Sequence, residues 1–167
     1  ITMLIPEGAP CCICYDPDQN IFTKELKLPD FGLPPVLLTK NCRNTRKIYE
    51  MLKPYQTMAS TIMDSAPEGA DVHVLQGGCR VLLEQELERL VMVEGVPLQD
   101  IVILGGHSLE HTSIGENHDV GRFHIVERAP EIGAMEVSYF TYMKYKGCES
   151  KVVILLDVDE NDERWKN

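Results

Sequence analysis

The chain has 167 residues, 44% of them apolar, which suits one core-forming domain with at most a small extension. Acidic side chains outnumber basic ones 26 to 16, a formal charge of −10, and this argues against a self-sufficient nucleic-acid-binding domain built on clustered Lys and Arg. No apolar run approaches the roughly 20 residues of a membrane span, and Ile1-Thr2-Met3-Leu4-Ile5-Pro6 lacks the basic start and apolar run of a signal peptide.

In chain order, residues 11–15 read as a buried strand and residues 35–39 as a second. Residues 44–55 read as a helix with Ile48, Met51 and Leu52 on one stripe. Residues 71–75 give a third strand before the Gly77-Gly78 break. Residues 79–94 form the clearest helix, with Leu82, Leu83, Leu87, Leu90 and Val91 as its apolar stripe and Gly95 as its stop. Residues 100–104 are a continuous apolar strand. The polar stretch 110–121, with His111 and His118, reads as a mobile loop. Residues 123–126, 137–141 and 151–157 complete the strands, the last being the most strongly marked. Runs without alternation predict strands covered on both faces, and their interleaving with helices predicts an α/β fold with a mainly parallel sheet.

The six cysteines, Cys11, Cys12, Cys14, Cys42, Cys79 and Cys148, read as small buried hydrophobes kept reduced, in keeping with a cytoplasmic location. His107 and His111 stand four apart, but without a helical pattern or a third ligand no metal site is expected.

Ligands of open α/β sheets gather at the carboxyl ends of strands. Three polar clusters fall at positions read that way: Asp16-Pro17-Asp18-Gln19-Asn20-Ile21-Phe22, Asn41-Cys42-Arg43-Asn44-Thr45 and Lys144-Tyr145-Lys146-Gly147-Cys148-Glu149. Each alone reads as well as a turn, a helix cap or a surface bend. In this order they are more specific. Residues 14–22 resemble helicase motif III (a hydrophobic run, then D-x-x-Q-S-I-Y/F). Residues 38–48 resemble motif IV (L-x-x-N-Y-R-N/S-T-x-x-I). Residues 141–154 resemble motif V (T-x-H-x-x-K-G-L-E and an apolar strand). The resemblance is to the UvrD/Rep group of superfamily 1 DNA helicases and covers roughly residues 9–158.

That resemblance implies a RecA-like, P-loop NTPase-type fold. The first 34 residues would end a 1A-type region, and residues 35–167 would form the 2A-type domain, without its own P-loop. The parent would be an ATP-dependent motor on single-stranded DNA, active in repair or recombination. Arg43 would reach the γ-phosphate of ATP from the second domain, with the planar, permanently charged fork that Lys lacks. Gln19 would sense the same phosphate. Gly147 and Glu149 would lie by the nucleotide. Thr141 and Lys146 would touch the DNA backbone, and the Phe22 ring would pack near the strand. The chain departs from the pattern at Met143, where the family has His, at Cys148, where it has Leu, and at Cys42, where it has Tyr. There is no G-x-x-x-x-G-K-[ST], no acidic segment before Asp16 to hold Mg²⁺, and no motif VI. ATP and Mg²⁺ are therefore expected in the intact parent, with tight binding of neither by this chain alone. Its expected partners are the missing N-terminal 1A domain and, weakly, single-stranded DNA. A helicase-like module that serves only protein interaction or regulation is the alternative reading, favoured by the acidity and Met143.

Overall fold

A computed structural model describes residues 36–158 together with Asp16, which is exposed. The strand expected at residues 11–15, Gln19 and Phe22 all lie outside the described residues. The described chain falls into two compact units, one up to His73 and one from Val74 onward.

In the first unit, a two-residue strand, β1 (Lys40–Asn41), pairs in parallel with β2 (Thr61–Ile62). Between them lies helix α1 (Arg46–Leu52), extended by a 3-10 turn, Lys53–Tyr55, that carries Pro54. Thr45 caps α1 by accepting a hydrogen bond from the Ile48 N–H at 3.5 Å. The next amides of the first turn donate to this unit's own carbonyls, Arg46 to Pro67 at 3.0 Å and Lys47 to Glu68 at 3.2 Å. Tyr49 is the buried residue of α1, and its hydroxyl donates to the Ser60 carbonyl at 2.5 Å.

Two expected strands do not form here. Val36, Leu37 and Leu38 are exposed and non-regular, and the ladder begins only at Lys40. Residues 71–75 are likewise irregular and exposed. Apolar, β-branched composition favours a strand only where a neighbour offers a ladder and a face to pack on. Of residues 36–39 only Thr39 reaches one, its carbonyl accepting the Thr61 N–H at 2.8 Å.

The second unit is built on β3 (Ile101–Gly105), all five residues of which are buried. It lies between β6 (Glu136–Thr141) and β7 (Val152–Leu155), parallel to both. β5 (Phe123–Val126) runs parallel to β6, and the two-residue β4 (Asp119–Val120) closes a hairpin against β5, giving the order β4-β5-β6-β3-β7. This is an α/β fold with a five-stranded, mainly parallel sheet flanked by helices. One face of the sheet supplies Ile101, Ile103, Phe123, Ile125, Val137 and Tyr139, which pack with Leu83, Leu87 and Leu90. Leu83 and Leu87 belong to helix α2 (Cys79–Glu88) and Leu90 to the π turn that continues it, Arg89–Val93. The expected helix at 79–94 is thus present but widens in its last turn, where the Glu94 N–H reaches the Arg89 carbonyl at 3.0 Å. Val96 then donates to the Leu90 carbonyl at 2.9 Å across Gly95, which closes the helix end.

Coverage of both faces holds for β3 but not for β7. Val102 and Leu104 are buried on the face opposite α2, whereas Val153 and Leu155 are 46% and 56% exposed. The most strongly marked strand of the sequence is one of the two edge strands of the described sheet.

The polar stretch 110–121, expected to be mobile, is tied down. Leu109 and Ile114 are buried in the core. Arg80 of α2 donates to the Ile114 carbonyl at 2.9 Å and to Asn117 Oδ1 at 2.8 Å. Ser113 gives its N–H and its hydroxyl to the two carboxylate oxygens of Asp157, at 2.9 and 2.5 Å.

Two outcomes follow. Leu87 has no exposed surface, so Leu87→Ala is expected to cost about 2–5 kcal/mol, read as a lower urea midpoint; a midpoint at the wild-type value would remove α2 from the core. Glu136 accepts hydrogen bonds from the Glu131 N–H at 2.9 Å and from Arg128 at 2.8 and 2.7 Å, which hold its carboxyl below the usual carboxylate range. A carboxyl depressed by folding adds stability above its unfolded pKa that is lost as pH falls through its folded value. Urea unfolding on acidification should therefore show a flatter acid limb in Glu136→Gln than in wild type, and identical limbs would exclude the effect.

Candidate functional site

Of the sequence-predicted site residues, four fall on one stretch, the connection from β6 to β7. These strands flank β3, so the chain must pass across β3, a step of roughly 10 Å sideways at ordinary strand spacing. It does so within residues 142–151. Thr141 ends β6 and caps the single-turn helix α3 (Tyr142–Tyr145), its hydroxyl oxygen accepting the Lys144 N–H at 3.3 Å. Its O–H remains a donor. The stacked rings of Phe140 and Tyr145, 5.9 Å apart and 21° from coplanar, hold α3 against the strand it leaves.

Lys146 and Gly147 then reverse the chain. Gly147 has φ +88°, and the Cys148 N–H donates to the Tyr145 carbonyl at 2.9 Å. Lys146, Gly147, Cys148 and Glu149 are all exposed and Thr141 is half-buried. The turn therefore offers a cation, an amide reversal and a carboxylate to solvent on a backbone fixed at both ends. Its position corrects the sequence reading. Thr141 is at the carboxyl end of its strand, but the turn leads into the amino end of β7, since Ile101 pairs with Val152 at the start of both strands.

Residues outside the three polar clusters brace this turn. The Ser150 hydroxyl donates to the Asp100 carbonyl at 2.7 Å, and Lys151 Nζ meets the Asp100 carboxylate at 2.6 Å. Burial pushes the Tyr145 phenol up, opposed by its hydrogen bond with Ser150, while Cys148 and Glu149 nearby push the same way as burial. Met143, at the position where the resemblance has His, is exposed on α3.

Arg43 belongs to the first unit. It sits in a turn that Asn41 organises by accepting the Arg43 and Asn44 N–H groups on Oδ1, at 3.3 and 3.1 Å. Its neighbours in sequence are engaged: Lys40 with Asp64 at 4.0 Å, Arg46 with the Asp64 carbonyl at 2.6 Å, and Lys47 with Asp71 at 3.0 Å. Arg43 is exposed and its guanidinium has no partner among the described residues.

No protein-family model, curated protein or solved structure matches the chain.

Other polar groups are in structural use. The His107 carbonyl accepts the Tyr139 hydroxyl at 2.5 Å, and the His111 Nδ1 contacts the Ser108 hydroxyl at 2.8 Å. No group of three His, Cys, Asp or Glu side chains gathers as for a metal ion among the described residues. Of the six cysteines expected to be buried, Cys11, Cys12 and Cys14 lie outside the described residues, and none of the three described ones is fully buried. Cys42 and Cys148 are exposed free thiols, and Cys79 is half-buried with its thiol pushed up by burial. No helix of the described residues is long and apolar enough to cross a membrane.

At Gly147 a Cβ would meet nothing within 4 Å, so backbone conformation alone sets the cost of substitution. Gly147→Ala should destabilise the chain by about 1–2 kcal/mol in urea unfolding, the cost of an L-residue in the left-handed region; an unchanged or higher midpoint would show that the turn does not need this backbone.

Proposed function

We propose that this chain is the second, RecA-like half of a UvrD/Rep-like superfamily 1 DNA helicase. On this reading it contributes γ-phosphate sensing and single-stranded DNA contacts and does not hydrolyse ATP alone. The observation that carries the proposal is the exposed Lys146-Gly147-Cys148-Glu149 turn on a short parallel crossover, at the place in the sequence where motif V is resembled. A motor that steps along a strand needs groups that grip phosphate without reading bases. One lysine, one threonine hydroxyl and a fixed turn meet that need.

Arg43 fits the remaining task. Phosphoryl transfer is promoted by positive charge on the γ-phosphate, and an exposed guanidinium that no carboxylate of the described residues engages is suited to supply it. The first-turn amides of α1 next to it are committed to Pro67 and Glu68, so a phosphate there would meet the side chain rather than a backbone cradle. Gln19 and Phe22 keep their roles on sequence resemblance alone. ATP supplies the transferable phosphoryl group, and Mg²⁺ its counter-charge. The ion and the phosphate-binding loop are assigned to the 1A half on the sequence resemblance.

The test uses the chain as it stands. A fluorescent oligothymidylate should bind weakly at low salt by anisotropy, with affinity falling as salt rises. Lys146→Ala should weaken binding and reduce the salt slope by about one. ATP with oligothymidylate should show no turnover. Absence of salt-dependent binding, or ATP turnover on the order of 1–100 s⁻¹, would overturn the proposal.

A further inference from the structure

We infer that Ser150, with Asp100 and Tyr145, is a positioning device for the Lys146–Glu149 turn, holding it in its phosphate-gripping shape before any ligand arrives. The inference rests on the function proposed above and adds to it three residues to which the helicase-like motifs assign no role.

The argument begins with length. Residues 142–151 must leave the carboxyl end of β6, cross β3 and enter β7 at its amino end, and part of that path is spent on α3. A connection this short takes its shape from its end points. The first is set by the Thr141 cap and the Phe140–Tyr145 stack. The second is set by Asp100, the last residue of the 3-10 turn Leu98–Asp100 that leads into β3. Asp100 uses two different groups. Its backbone carbonyl takes the Ser150 hydroxyl and its carboxylate takes Lys151. The amino end of β7 is thereby registered against the amino end of the central strand.

Ser150 directly follows the exposed residues of the turn, so its hydroxyl on the Asp100 carbonyl fixes the outgoing end. A serine hydroxyl has one proton to donate, and here it is spent on that carbonyl. The turn is thus tied at both ends, by the Cys148 N–H on the Tyr145 carbonyl and by Ser150 on Asp100. Lys146, Gly147 and Glu149 lie along this stretch and are exposed. Fixing a loop in its bound shape lowers the ordering cost of binding without adding a contact to the ligand. The Lys151–Asp100 pair is the weaker part of the brace, since Lys151 is largely exposed.

The experiment compares Ser150→Ala, Ser150→Thr and Lys146→Ala in the full chain. Exchange of the Cys148 amide reads the turn, and oligothymidylate anisotropy reads its use. Ser150→Ala should speed Cys148 exchange about five-fold, the order expected for one lost hydrogen bond. It should weaken oligothymidylate binding while leaving the salt slope at the wild-type value, because no phosphate contact is removed. Ser150→Thr keeps the hydroxyl and should restore both. Lys146→Ala should lower the slope and leave Cys148 exchange unchanged. If Ser150→Ala exchanges at the wild-type rate, or Ser150→Thr behaves as Ser150→Ala, the positioning role is wrong. If wild type binds and Ser150→Ala binds equally well, the turn is braced but not for this ligand, and the inference fails. If wild type does not bind at all, the helicase reading falls, and Cys148 exchange with its threonine rescue still decides whether Ser150 sets the turn.

Discussion

The second unit depends on the complete burial of β3. Because both of its faces are covered, β3 can be the strand against which β6 and β7 both register. Once β6 and β7 stand on opposite sides of it, the chain between them has to cross it. Everything distinctive about the candidate site follows from making that crossing within so few residues. The helix is cut to one turn, the reversal places a glycine in the left-handed region, and the polar residues at the reversal are exposed.

The same core organises the far end of the sheet. Leu109 and Ile114 insert into the cluster that packs α2, and polar ties from Arg80 and Asp157 fix the chain between and beyond them. The ties are hydrogen bonds from elements already ordered by the core, so holding the loop costs little additional ordering. The first unit is organised differently. Its two-residue ladder is short, and much of its order comes from side chains that satisfy backbone groups: Asn41 on the Arg43 turn, Thr45 on α1, Tyr49 on Ser60 and Arg46 on Asp64.

Local rules found what local rules govern. The spacing of Leu83, Leu87 and Leu90 with Gly95 beyond them revealed α2, and the unbroken apolar run at 101–104 revealed β3. The residue types at 141–149 marked the turn, because Thr as a cap and Gly at a reversal act over three or four positions. What escaped depends on distant pairings. Residues 36–39 and 71–75 have the composition of strands, but a strand needs a neighbour, and composition does not name one. The stretch 110–121 reads as mobile because it is polar, while its anchors come from Arg80 and Asp157, more than thirty residues away on either side. Asp100 and Ser150 stand fifty positions apart and show no local sign of belonging together. The turn at the candidate site was therefore legible, and its mechanical support was not.

The exposed face of β7 has a practical consequence. Val152-Val153-Ile154-Leu155 carries no proline and no charge, and Lys151, the nearest cation, is turned back toward Asp100. Natural sheets protect their outer strands with charges, prolines or bulges, and this one has none of these along its length. Among the described residues nothing pairs with the outer edge of β7, which leaves a template for strand-to-strand association there. Solubility will depend on keeping that strand covered, and a lysine at Val153 or Leu155 is the least intrusive way to guard it.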